Sequence, residues 1–221
     1  MKHPFWFVFL ICFLLLSCAG AGRYGPPSEG GPCVLMISGK SGPSLYVEHA
    51  RRLAASGYTV LLYNGNDFPV NQVQLCQAKI RAVLQDAGCL SALKPDRAAV
   101  IGYSLGGAVA LSCTAAMEEE IVGVVAYYPA TALFDDHEGC VERMRVPVLI
   151  LQGEDDHFFN CCTVEPIRHI SDAAAERGKQ LQLIVYPGAG HGFNLGPFKN
   201  KSLDEDSWRR TLQTLEIYFA P

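Results

Sequence analysis

The stretch Ala98 to Leu111, AAVIGYSLGGAVAL, decides the fold. Ala98, Ala99, Val100 and Ile101 form an unbroken apolar run, the pattern of a strand buried on both faces. Gly102-Tyr103-Ser104-Leu105-Gly106-Gly107 follows, and the small apolar residues from Ala108 to Leu111 open a helix. Gly-x-Ser-x-Gly between a strand and a helix predicts a strained turn that lifts the Ser104 oxygen clear of the sheet. Its glycines stand where the strand and helix backbones pass closely. The pentapeptide alone is weak, because glycine and serine are common in loops. Its strand–turn–helix setting is what makes Ser104 a candidate nucleophile.

Outward from this stretch the text alternates between strand and helix. Strands are expected at 33–38, 58–63, 121–128, 148–152 and 180–186. Helices are expected at 45–56, at 70–93 (the longest), after the Ser104 turn, at 164–177 and at 203–219. Ser202 and Glu205 stand in capping-box relation at the start of the last helix. Repeated β–α units with continuous apolar strands imply a mostly parallel sheet covered by helices on both faces. Between the strand ending near Tyr128 and the one starting at Val148 there is room for only a turn or two of helix. No large cap domain is expected.

The chain has 221 residues and a formal net charge of −4, with 49% hydrophobic residues. That is enough for one well-buried domain, and it gives nucleic acid no electrostatic hold. Residues 1–18 read as a signal peptide: Lys2 and His3 precede an apolar run from Phe5 to Leu16 that is too short to span a bilayer. Leu15-Leu16-Ser17-Cys18 resembles a bacterial lipobox and favours an exported lipoprotein tethered through a lipidated Cys18, in the periplasm or on the membrane. Ala19-Gly20-Ala21 offers a competing cleavage site that would release a soluble protein. Residues 19–32, rich in Gly and Pro, are expected to be a flexible linker, and residues 33–221 the folded domain. Of the seven cysteines beyond the signal, Cys33 and Cys113 sit in apolar runs and read as buried thiols. Cys140 with Cys161 or Cys162 is the expected bridge.

A serine on such a turn is served, in chain order, by an acid and then a histidine. The strand at 148–152 runs into Gly153-Glu154-Asp155-Asp156-His157, and the strand ending at Tyr186 runs into Pro187-Gly188-Ala189-Gly190-His191-Gly192-Phe193. Both loops leave carboxyl ends of strands, the edge on which catalytic groups of α/β sheets collect. His191 would accept the serine proton and pass it to the leaving group, and a buried carboxylate would orient the imidazole. Glu154, Asp155 and Asp156 compete for that place. Of the aromatic residues near these loops, including Tyr127, Tyr128, Phe134 and Phe158, Tyr103 and Phe193 are the pocket candidates because both adjoin the proposed trio. His157, Cys161, Cys162 and His169 do not have zinc-ligand spacing, and no dinucleotide or phosphate-loop pattern occurs, so neither metal nor cofactor is implied.

GYSLGG, LQGEDD after a buried strand, and YPGAGHGF together resemble the dienelactone hydrolase family of the α/β hydrolases, over residues 33–221. The resemblance implies the α/β-hydrolase fold in a minimal form. It places the acid three residues after the glycine, at Asp156, and the histidine at His191. It also implies hydrolysis of small carboxylic esters or thioesters through an acyl-enzyme, with the backbone N–H groups of Leu105 and Lys40 as the oxyanion hole. This chain departs from the family's namesake in three ways. A serine stands at the nucleophile position where the namesake has cysteine. No acidic residue occurs between Cys33 and Val47, where the namesake has a glutamate. Phe193-Asn194-Leu195 follows the histidine where the namesake presents an arginine. These departures argue against dienelactone as substrate and leave a serine acyl-transfer mechanism intact. The same three residues could cut a small peptide or amide, and an exported binding lipoprotein could keep the fold without activity. The oligomeric state is not legible.

Overall fold

In the computed structural model, residues 22–25, 31–90, 97–134 and 136–220 are described; the signal peptide, Cys18 and both candidate cleavage sites lie outside them. Among the described residues, seven strands form one sheet: β1 (Gly22–Tyr24), β2 (Cys33–Ile37), β3 (Thr59–Tyr63), β4 (Ala98–Tyr103), β5 (Ile121–Tyr127), β6 (Val148–Gly153) and β7 (Leu181–Tyr186). Their spatial order is β1-β3-β2-β4-β5-β6-β7. All neighbours are parallel except β1, which pairs antiparallel with β3, Gly22 opposite Leu62 and Tyr24 opposite Val60. The sheet therefore begins inside the segment expected to be a flexible linker.

Six α-helices among the described residues cover the sheet: α1 (Val47–Ala55), α2 (Val73–Asp86), α3 (Leu105–Cys113), α4 (His137–Arg143), α5 (Val164–Glu176) and α6 (Lys201–Tyr218). Strand residues alternate between two cores. Leu35, Ile37 and Val100 pack with Ile80 of α2, Val109 of α3, Val141 of α4 and Ile167 of α5. Val34, Met36 and Ile101 pack with Leu53 of α1 and Leu215 of α6. With both faces covered, β2 and β4 are buried at every position, which explains why they read as apolar runs.

Four expectations about local structure are corrected. The longest helix among the described residues, which exclude 91–93, is α6, with 18 residues, because α2 stops at Asp86 before the left-handed Gly88. The α6 cap is Asn200, whose side-chain oxygen accepts from the N–H groups of Ser202 and Leu203, and not a Ser202–Glu205 box. The expected Cys140 bridge is absent. Cys140 turns into the core towards the Leu111 carbonyl on α3, where burial pushes its thiol up to about 12, while Cys161 and Cys162 are bonded to each other.

Cys33 is not a free thiol either: it bridges Cys89, with Cα atoms 5.9 Å apart, because the turn ending α2 returns the chain to the start of β2. Closing that loop restricts the unfolded chain by about 4 kcal/mol on the chain-entropy account. Cys76 and Cys113 are buried free thiols.

Behind the sheet, α1 and α6 are joined through Asp204, which is buried and faces Lys199 at 3.0 Å, Arg52 at 3.2 Å and His49 at 3.4 Å. Burial alone would raise the Asp204 pKa. The His49 and Lys199 side chains facing the carboxylate, with the Arg52 charge, outweigh that and hold it at about 2.

Candidate active site

Ser104 sits between the last residue of β4 and the first of α3, with φ 53° and ψ −112°. A side chain avoids this backbone region unless its surroundings impose it, and here the neighbours are tight. A Cβ on Gly102 would lie 2.1 Å from the Gly106 carbonyl oxygen, and one on Gly106 would lie 2.1 Å from that of Ile37. Only glycine lets β4, α3 and β2 approach this closely, so the motif spacing fixes the turn. Its carbonyl oxygen accepts from the N–H of Ala130 at 3.0 Å, tying the turn to the chain beyond β5.

The loop after β6 sorts its three acids by direction. Glu154 points outward to Arg168 at 3.0 Å, and Asp155 is exposed. Asp156 is fully buried and turns inward: its Oδ1 accepts from the N–H of Phe158 at 3.1 Å, and its Oδ2 lies 2.7 Å from His191 Nδ1. His191 stands on the loop after β7, between left-handed Gly188 and Gly192, and its Nε2 lies 3.1 Å from Ser104 Oγ. The structure thus brings Ser104, His191 and Asp156 into one hydrogen-bonded line. With Asp156 accepting at Nδ1, the imidazole keeps its proton on that nitrogen and leaves Nε2 free to accept from the serine hydroxyl.

The imidazole is held on its sides as well. The Phe158 ring stacks on it at 4.5 Å and 7°, and the Tyr128 ring meets it edge-on at 4.7 Å. Tyr128 is itself left-handed, φ 35°, and its buried hydroxyl donates to Asn194 Oδ1 at 2.8 Å. Phe158 lies two residues beyond Asp156 in the sequence, and that proximity was the available signal. Cys162 brings its sulfur within 4.8 Å of the ligand-type atoms of Asp156 and His191. That sulfur is in a disulfide with Cys161, and the Asp156 carboxylate and His191 Nδ1 are hydrogen-bonded to each other, so the group is committed within the protein.

The two pocket candidates fall behind the site. Tyr103, the last residue of β4, turns to the α1/α6 side, where its ring lies 4.8 Å from those of both Tyr46 and Tyr127 and is fully buried. Desolvation drives its hydroxyl well above the usual tyrosine range. Phe193 is buried against Tyr128 and Tyr186. Both pack as core. Lys40 is exposed in the turn after β2, its carbonyl accepting from Asn66 Nδ2 at 2.9 Å. The neighbouring Gly39 leaves room beside Ser104: a Cβ there would stand 3.3 Å from that of Ser104. Leu105 opens α3, so its N–H has no partner within the helix.

The chain has relatives among known proteins. The family model described as "Dienelactone hydrolase family" matches residues 21–219. A Methylorubrum extorquens protein provisionally named a carboxymethylenebutenolidase is 27% identical over 213 residues, covering 83% of this chain and 72% of its own. A dienelactone hydrolase, so designated provisionally, from Klebsiella pneumoniae superposes with a TM-score of 0.70 at 17% identity, over 87% of this chain and 96% of that one. Esterase 2 of Thermogutta terrifontis, in a structure phosphonylated by sarin, gives a TM-score of 0.66 at 18% identity over 90% of each chain. At these identities the two structures establish the shared fold.

Proposed function

Because this chain belongs to the dienelactone hydrolase family and is a hydrolase of ester bonds, we propose that it cleaves small carboxylic esters through Ser104, His191 and Asp156. The observation that carries this reading is the hydrogen-bonded line from Ser104 Oγ through His191 to the buried Asp156. Ser104 Oγ attacks the ester carbonyl carbon as its proton passes to His191 Nε2. The carbonyl oxygen, now an oxyanion, accepts hydrogen bonds from the N–H groups of Leu105 and Lys40. The tetrahedral intermediate collapses, the bond to the alcohol oxygen breaks, and that oxygen takes the proton from His191. An acyl group then remains on Ser104. Water attacks this acyl-enzyme, giving its proton to His191, and collapse releases the acid and restores the serine hydroxyl. Throughout, Asp156 holds the Nδ1 proton and stabilises the imidazolium.

Support also comes from the Thermogutta esterase, which shares the fold and is named as an esterase phosphonylated by sarin. Only α4 and short turns lie between β5 and β6 among the described residues, so no lid of any size rises there. The expected result is steady hydrolysis of p-nitrophenyl acetate and butyrate in plain buffer, with no added lipid surface. Hydrolysis no faster than buffer alone along an acetate-to-decanoate series, by protein whose circular dichroism shows it folded, would remove the general esterase reading.

A further inference from the structure

Seven large hydrophobic side chains are exposed among the described residues, and the three aromatic ones all adjoin the proposed acid and base. Phe158 and Phe159 follow Asp156, and Phe198 lies beyond His191; a Cβ built on Gly192, the residue after His191, would come 3.8 Å from the Phe198 ring. Phe159 is the extreme case. It is 87% exposed, and its backbone is left-handed at φ 46°, as is that of Asn160 at φ 52°. A bulky residue in this region carries a conformational cost, and here no burial of the ring offsets it. The turn instead holds Phe159 edge-on to Phe158, ring centres 4.7 Å apart, with Phe158 flat on His191. Exposed aromatic side chains gathered beside the reacting groups mark a binding site.

The mechanism proposed above says which half of a substrate would meet these rings. His191 Nε2 must reach the leaving oxygen to protonate it, so the alcohol portion departs over the imidazole and the acyl portion stays at Ser104. Phe158 covers one face of that imidazole, and Phe159 continues the surface outward. We propose that Phe158, Phe159 and Phe198 form a subsite for an apolar, aromatic alcohol portion, making the substrates esters of arylmethyl-type alcohols. The proposal rests on the Ser104–His191 reading, because the direction of departure is set by His191.

The test compares benzyl acetate with methyl acetate, following released acetic acid in a pH-stat, with p-nitrophenyl acetate as control. The two alcohols are of similar acidity and share an acyl group, so the ratio of their kcat/KM values reports recognition of the ring. Covering about half a phenyl ring predicts a ratio of at least about ten. Phe159→Ser, which removes no core packing, is expected to lower the ratio at least about threefold through KM, and Phe198→Ser to lower it in the same direction. Cleavage of p-nitrophenyl acetate with a benzyl-to-methyl ratio near one, with no turnover of benzyl acetate, or with a ratio unmoved by Phe159→Ser would overturn the subsite while the esterase reading stands. No cleavage of any of the three esters would remove both.

Discussion

Ser104→Ala is expected to lower kcat for p-nitrophenyl acetate by about a hundred-thousandfold, the scale of losing the nucleophile from a set of residues that act as a unit. Activity would fall to the level that an oxyanion hole and binding alone can sustain. The substitution deletes one hydroxyl whose partner is His191 Nε2, so the fold should survive: the turn is set by Gly102 and Gly106 and by the Ser104 backbone, which alanine retains. Thermal melting within a few degrees of the parent, beside the lost rate, would separate chemistry from unfolding. A loss of less than about tenfold would mean that another group attacks the ester.

Asp156→Asn is expected to lower kcat by about ten-thousandfold, through the tautomer of His191. The Asp156 carboxylate accepts on both sides, from the Phe158 N–H at Oδ1 and from His191 at Oδ2. An asparagine can accept on one side only. The fixed backbone donor of Phe158 claims the amide oxygen, and the NH2 group then faces His191 Nδ1. That nitrogen must become an acceptor, the ring proton moves to Nε2, and Nε2 can no longer take the serine proton. Asp155→Asn in the same loop, exposed and one residue away, should change kcat by less than about twofold, since surface charges contribute little. The pair of variants assayed side by side decides which carboxylate serves the histidine. Equal losses in both would reject this assignment.

The parallel strands were legible in the sequence because burial on both faces makes them continuous apolar runs, as in Val148 to Leu151 of β6. The Gly-x-Ser-x-Gly turn was legible because close backbone approach demands glycine at fixed positions, and the loops after β6 and β7 were legible as the ends of those runs. Features that depend on three-dimensional closure were not. β1 is three residues long and finds its partner 36 or more positions away, so it carries no period of its own. Cys33 meets Cys89 only because α2 ends where it does. Tyr103 was misplaced because adjacency in sequence is not adjacency in space at a strand end: successive side chains point to opposite sides, and Tyr103 faces the α1/α6 core. Phe158 adjoins Asp156 in the sequence, but its stacking on His191 depends on how the loops after β6 and β7 pack together, which neither loop announces by itself.

The most direct measurement of the central claim is peptide mapping by mass spectrometry after reaction with a fluorophosphonate, a reagent that requires an activated nucleophile. A single stable adduct on Ser104 is expected, formed quickly in the parent protein and absent from Ser104→Ala. A folded parent that remains unmodified, or an adduct carried by another residue, would contradict it.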